Sequence, residues 1–127
     1  MTLYFLLCFF MKRNPISSTV DFEKDGVQHG YLKLPHSHDE STWGSLVIPI
    51  SLAKNGKGPT VLFTGANHGD EYEGPVALFD LANNINAEEI SGRVIIIPGM
   101  NYPAFKAGKR TSPVSYTHLT LPTTPYV

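Results

Sequence analysis

Charge and cysteine are both scarce in this chain, and each scarcity removes a class of function. Charged residues make up 17% of its 127 residues, and the formal net charge is −1. A balance so close to neutral leaves no electrostatic footprint for nucleic acid or an anionic membrane surface. The single cysteine, Cys8, excludes an internal disulfide and a cysteine-based zinc site. That usage fits a reducing compartment, and a cytoplasmic protein is expected. Long apolar runs are missing too. Residues 1–10 are almost wholly apolar, yet a bilayer needs about 20 such residues. The cations Lys12 and Arg13 follow the apolar run, the reverse of a secretory signal, and no small-residue cleavage site comes after it. Residues 1–10 therefore read as a non-native extension upstream of a start at Met11, in preference to a membrane-associating segment.

What is present is ordinary globular material, 42% hydrophobic, of a length that suggests one domain or part of one. Residues 14–28 are polar, with Pro15 and the turn pair Asp25-Gly26, and read mostly as loop. Residues 29–34 alternate weakly and are a candidate strand. The loop at 35–41 holds His36, His38 and Asp39, which could share a face of extended chain. No other ligands accompany them, so the loop reading is preferred over a metal cluster. Residues 43–53 form a strand candidate interrupted by Pro49, which places it at an edge or a bulge. A turn at 54–59 should join it to residues 60–64 as an antiparallel hairpin.

The most regular pattern follows. Residues 60–64 read as a strand, 74–83 as a helix whose Ala77, Leu78, Leu81 and Ala82 cover the sheet, and 93–98 as a second strand. The unbroken apolar run Val94-Ile95-Ile96-Ile97 suits a strand buried on both faces. This is a βαβ unit, with parallel strands and a right-handed crossover. Residues 86–90 resemble a capped helical turn, and a short helix should begin near Pro103.

Between the first strand and the helix lies Thr64-Gly65-Ala66-Asn67-His68-Gly69-Asp70-Glu71-Tyr72-Glu73-Gly74-Pro75. His68 and Glu71 stand three residues apart in a tight turn and can face one point, a nitrogen-and-oxygen donor pair that suits Zn²⁺. Open α/β sheets bind ligands beyond the carboxyl ends of their parallel strands. Both this turn and the segment Gly99-Met100-Asn101-Tyr102-Pro103 lie at such ends. The later pair Lys109-Arg110 could be carried near the turn, or could be solvated surface charge.

His68-Gly69-Asp70-Glu71, with its glycine-rich approach, and Asn101-Tyr102-Pro103-Ala104 followed by Arg110, resemble the succinylglutamate desuccinylase/aspartoacylase family. The resemblance runs from about Met11 to Pro113. It implies the amino-terminal part of a zinc-carboxypeptidase-like α/β mixed sheet, truncated, from a zinc hydrolase that deacylates an N-acylated amino acid. It also implies His68 and Glu71 as two of three zinc ligands, and Arg110 as the group that polarises the scissile carbonyl and stabilises the oxyanion. The third histidine ligand, the glutamate general base and an Asn-Arg pair for the substrate carboxylate have no counterpart before Val114, so this polypeptide is expected to be inactive alone. Residues 114–123 match, letter for letter, one reading frame of the transposon-end adaptor used in sequencing libraries. Residues 114–127 are therefore read as a foreign tail, and its His118 as no ligand. Two other functions share these residues: a zinc carboxypeptidase acting on peptides, and a non-catalytic binding or structural domain in which His68 only hydrogen-bonds its turn.

Overall fold

A strand of period two lies second in the sheet. In the computed structural model, which describes residues 14–36 and 44–112, β2 (Gly26–Pro35) alternates half-buried and exposed residues along its whole length. That is the mark of a strand with one face on the core. The other elements are β1 (Ser17–Ser18), β3 (Ser45–Asn55), β4 (Thr60–Thr64), α1 (Glu73–Asn84), a 3-10 turn (Ala87–Glu89), β5 (Gly92–Ile97) and α2 (Tyr102–Ala107). The expected apolar extension at 1–10, His38 and Asp39 of the histidine loop, and the tail from 114 lie outside the described residues. Among the described residues no helix is long and apolar enough to cross a membrane.

The five strands form one mixed sheet in the order β1-β2-β3-β5-β4. β4 and β5 are parallel, as a βαβ unit requires, while the other neighbours are antiparallel. The expected hairpin between residues 45–53 and 60–64 is not formed. β3 and β4 do run in opposite directions, but β5 lies between them and pairs with both. The apolar run of β5 is better covered with a strand on each side than at an edge. The connection can accommodate this. Four residues, 56–59, reach roughly 13 Å when extended, more than the two strand spacings of about 4.8 Å each that must be crossed. At the crossing point Arg93 N donates to Pro59 O at 2.9 Å, and a side chain on Gly58 would strike the backbone of Gly92.

Pro49 falls in the interior of β3, in register with Tyr31. Tyr31 turns its own N–H and C=O toward Thr19 instead, donating to Thr19 Oγ1 at 2.7 Å and accepting from Thr19 N at 3.0 Å. The Tyr31–Pro49 pair is thus a non-hydrogen-bonded one, and the missing N–H of Pro49 points to the side where β5 would be. β5 pairs with β3 only from Ser51 onward. The proline sits at a local edge within an internal strand.

The core gathers Val20, Ile50, Leu52 and Ile97, with Phe22, Leu32, Ile48, Ile95 and Met100 packed around them. Burying a side chain as large as Leu52 stabilises by about 1.5–3 kcal/mol. β5 is less enclosed than its composition suggests: Ile96 and Ile97 are buried, Val94 and Ile95 only half so. β4 is exposed at all five positions. Of the helix face expected to cover the sheet, Ala82 is buried and Leu78 and Leu81 are half-buried, but Ala77 is exposed and Pro75 takes its place. Pro75 lies in the first turn, where its missing N–H costs nothing. Asn86 caps the 3-10 turn by accepting from Glu88 N at 3.1 Å. Residues 14–28, read mostly as loop, supply β1 and the start of β2.

Candidate active site

Past the ends of β4 and β5 the two segments stay together. Gly65 N donates to Ile97 O at 3.0 Å, Met100 N to Gly65 O at 2.8 Å, and Asn101 N to Ala66 O at 3.1 Å. This brings the 64–75 turn beside the 98–103 segment. Ala66 turns the chain with φ +49°, the left-handed region that a side chain bearing Cβ enters at a cost of roughly 1–2 kcal/mol. It is buried, and the surrounding hydrogen bonds hold it there.

The turn then delivers its two candidate ligands. Glu71 N donates to His68 O at 3.3 Å, and the side chains meet with His68 Nδ1 at 2.8 Å from Glu71 Oε1. His68 is the more enclosed of the two, with side-chain exposures of 20% and 49%. The hydrogen bond to His68 holds the Glu71 carboxyl below the usual carboxylate range; desolvation opposes this, and the charges of His68 and Arg110 add to the lowering.

Arg110 reaches the pair from the other side. Its Nη1 lies 3.4 Å from Glu71 Oε1 and 3.6 Å from Asp70 Oδ1. These are solvent-facing ion pairs, weakened by screening, so they aim the guanidinium more than they stabilise the fold. The placement of Arg110 depends on the backbone. α2 ends at Gly108 in the left-handed conformation, φ +59°, and Lys109 N returns to Ala104 O at 3.1 Å. Gly69 N then donates to Arg110 O at 3.3 Å. A Cβ on Gly69 would come closer than 3.0 Å to backbone atoms of both Ala104 and Lys109. Only glycine allows the turn to lie against the end of α2. The rings of Tyr72 and Phe105 add a tilted contact between the same two segments, with centroids 5.9 Å apart.

The structure thus brings together all three residues singled out in the sequence: His68, Glu71 and Arg110. Lys109 joins through its backbone rather than its charge. Asp70 and Gly69 were not singled out, although both stand inside the motif. A third carboxylate among four residues was the available signal for Asp70, whereas the need for glycine at 69 arises from α2, far along the chain. The histidine–carboxylate donor set fits a borderline cation such as Zn²⁺. Among the described residues, no group of three or more His, Cys, Asp or Glu is placed to hold a metal.

Residues 57–119 match the succinylglutamate desuccinylase/aspartoacylase catalytic domain. The chain belongs to that family. It is similar to the N-alpha-acetyl-L-2,4-diaminobutyric acid deacetylase of Halomonas elongata, with 62% identity over 101 residues, covering 80% of this chain and 30% of the relative. Among solved structures it resembles the product-bound ectoine utilization protein EutE (DoeB) of Ruegeria pomeroyi, with TM-score 0.80 and 61% identity over 84% of this chain and 32% of that one. A succinylglutamate desuccinylase from a Silicibacter species is equally similar, with TM-score 0.81 and 60% identity over 84% of this chain and 32% of the other. The chain spans about a third of the length of these relatives and corresponds to the amino-terminal part of their fold.

Proposed function

We propose that this chain carries part of the active site of a zinc-dependent hydrolase that removes the acyl group from an N-acylated amino acid. We infer N-α-acetyl-L-2,4-diaminobutyrate as the substrate, a reading supported by the names of the Halomonas elongata deacetylase and of the ectoine utilization protein EutE. One observation carries the reading: His68 Nδ1 and Glu71 Oε1 converge to 2.8 Å at the carboxyl end of a parallel strand, with the Arg110 guanidinium alongside.

His68 and Glu71 would hold the zinc ion. When bound, zinc supplies Lewis acidity toward the amide carbonyl and toward water. Glu71, held in its anionic form by His68 and Arg110, keeps its oxygens available as donors near neutral pH. Arg110 presents fixed positive charge where the amide oxygen gains negative charge, and such preorganised charge lowers the barrier. The hydrolysis breaks the amide C–N bond and releases acetate and the free amine. Two protein donors hold zinc more weakly than the three of a catalytic site. The 127-residue polypeptide is accordingly assigned no appreciable turnover of its own.

The test is a chimera in which the 101 aligned residues of this chain replace their counterpart in the Halomonas elongata deacetylase. It should hydrolyse N-α-acetyl-L-2,4-diaminobutyrate with added zinc, while its His68→Ala form and the isolated chain do not. Full turnover by the His68→Ala form would refute the reading. Cleavage of peptides in preference to the acetylated amino acid would transfer it to the carboxypeptidase class.

A further inference from the structure

Next to the His68–Glu71 pair, a cavity of about 320 Å³ opens between the end of β4 and the first turn of α1. Thr64, Asn67, Glu71 and Glu73 contribute to its walls, and Gly65 and Gly74 to its lining. The two glycines touch: a Cβ on Gly65 would stand 3.0 Å from the Gly74 carbonyl carbon and 2.7 Å from Pro98 O. Their bareness lets the end of β4 and the first turn of α1 pack closely beside the cavity. Because Glu71 belongs both to the cavity and to the candidate metal pair, a molecule whose amide lies at the pair can extend into the cavity within a few bonds. The volume is at the small end of ligand pockets and suits a short amino-acid side chain.

Glu73 is an exposed carboxylate on this cavity, with no hydrogen-bond or ion-pair partner among the described residues. An acid in the first turn of a helix is favoured by the helix dipole alone. That accounts for its position along α1 but not for its opening onto the cavity beside the reacting centre. The charge around the centre sharpens the point. Arg110 already brings a cation to Glu71, and a bound metal would bring another, so a cationic substrate group needs a nearby anion. Diaminobutyrate acetylated on its α-nitrogen retains an aliphatic amine on Cγ, protonated near neutral pH as a lysine amine is.

Building on the deacylase reading above, we propose that Glu73 is a specificity-determining residue that receives the side-chain ammonium of the substrate. It distinguishes an N-acylated amino acid with a short cationic side chain from one that is neutral or anionic. A charge-assisted hydrogen bond in a partly open cavity corresponds to about ten- to hundredfold in discrimination.

The experiment uses the same chimera and measures kcat/KM for N-α-acetyl-L-2,4-diaminobutyrate and for N-acetyl-L-2-aminobutyrate, which has the same carbon chain without the amine. Glu73→Gln should lower the ratio of the two values about ten- to hundredfold, chiefly through KM of the cationic substrate, and Glu73→Asp should restore part of it. A Glu73→Gln ratio within about twofold of the parent, or an equal loss on both substrates, would overturn the proposal. The site reading is judged separately by His68→Ala, whose full turnover would sink that reading whatever Glu73 does.

Discussion

Replacing Gly69 by alanine tests how the arginine is brought to the candidate metal pair. The added Cβ would lie closer than 3.0 Å to the backbone of Ala104 and Lys109, whereas carbon atoms in contact settle at about 3.5–4.0 Å. Neither neighbour is a side chain that could rotate away. The turn and the end of α2 must therefore part by about 1 Å. Overpacking of this kind costs about 1–3 kcal/mol, and losing the Gly69–Arg110 backbone hydrogen bond adds about 1 kcal/mol. A misplacement of 1 Å can cost a hundredfold in rate, so kcat in the chimera should fall about ten- to hundredfold. Gly56→Ala is the control for added bulk, since nothing lies within 4 Å of the Gly56 Cβ direction and only its positive φ, +62°, opposes the substitution. Urea denaturation and hydrolysis rates of the two variants decide the matter. If Gly69→Ala behaved like Gly56→Ala in both, the stitching of the turn to α2 would not be what positions Arg110.

Other expectations follow from the same contacts. Arg110→Ala should lower kcat about 10²–10³-fold, as loss of an oxyanion donor does, while zinc stoichiometry measured by dialysis stays unchanged. Glu71 has a folded-state pKa below its unfolded value, so its pairing contributes stability above the unfolded carboxylate pKa of about 4.3 that is lost as pH falls through the folded value. Urea midpoints of the zinc-free protein should decline over that acid window, and Glu71→Gln should flatten the decline. Asp25, whose carboxyl is held low chiefly by its hydrogen bond from Lys54, should behave with the same sign. Leu52→Ala removes a fully buried side chain and should cost about 2–5 kcal/mol in the same denaturation assay.

Much of this architecture can be read in local pattern, and the parts that cannot have a common cause. The strand at Thr60–Thr64, the helix after it and the apolar strand at residues 92–97 announce themselves by periodicity and by an unbroken β-branched run. The parallel pairing then follows from chain connectivity. Strand order does not. Residues 45–53 and 60–64 look like two arms of a hairpin because a short glycine-rich turn joins them, but β5, a later segment, takes the place between them. β1 is only two residues long, Ser17 and Ser18, and its pairing depends on β2. Neither residue carries an apolar signal.

The candidate site divides in the same way. His68 and Glu71 are visible as a motif because their partners lie three residues apart. Arg110 can be named from the family resemblance, but its approach to Glu71 depends on the left-handed Gly108 and on the bareness of Gly69. Those requirements come from packing between segments about forty residues apart. Asp70 and Glu73 are both exposed carboxylates, ordinary in a loop and a helix start. Only the folded arrangement sets one beside Arg110 and the other on the cavity.

The central claim is that His68 and Glu71 together bind zinc. Equilibrium dialysis of the chimera against Zn²⁺, beside its His68→Ala/Glu71→Ala double variant, tests it most directly. One zinc per chain in the parent and markedly less in the variant is the predicted result. Equal stoichiometry in the two, with both proteins folded, would contradict it.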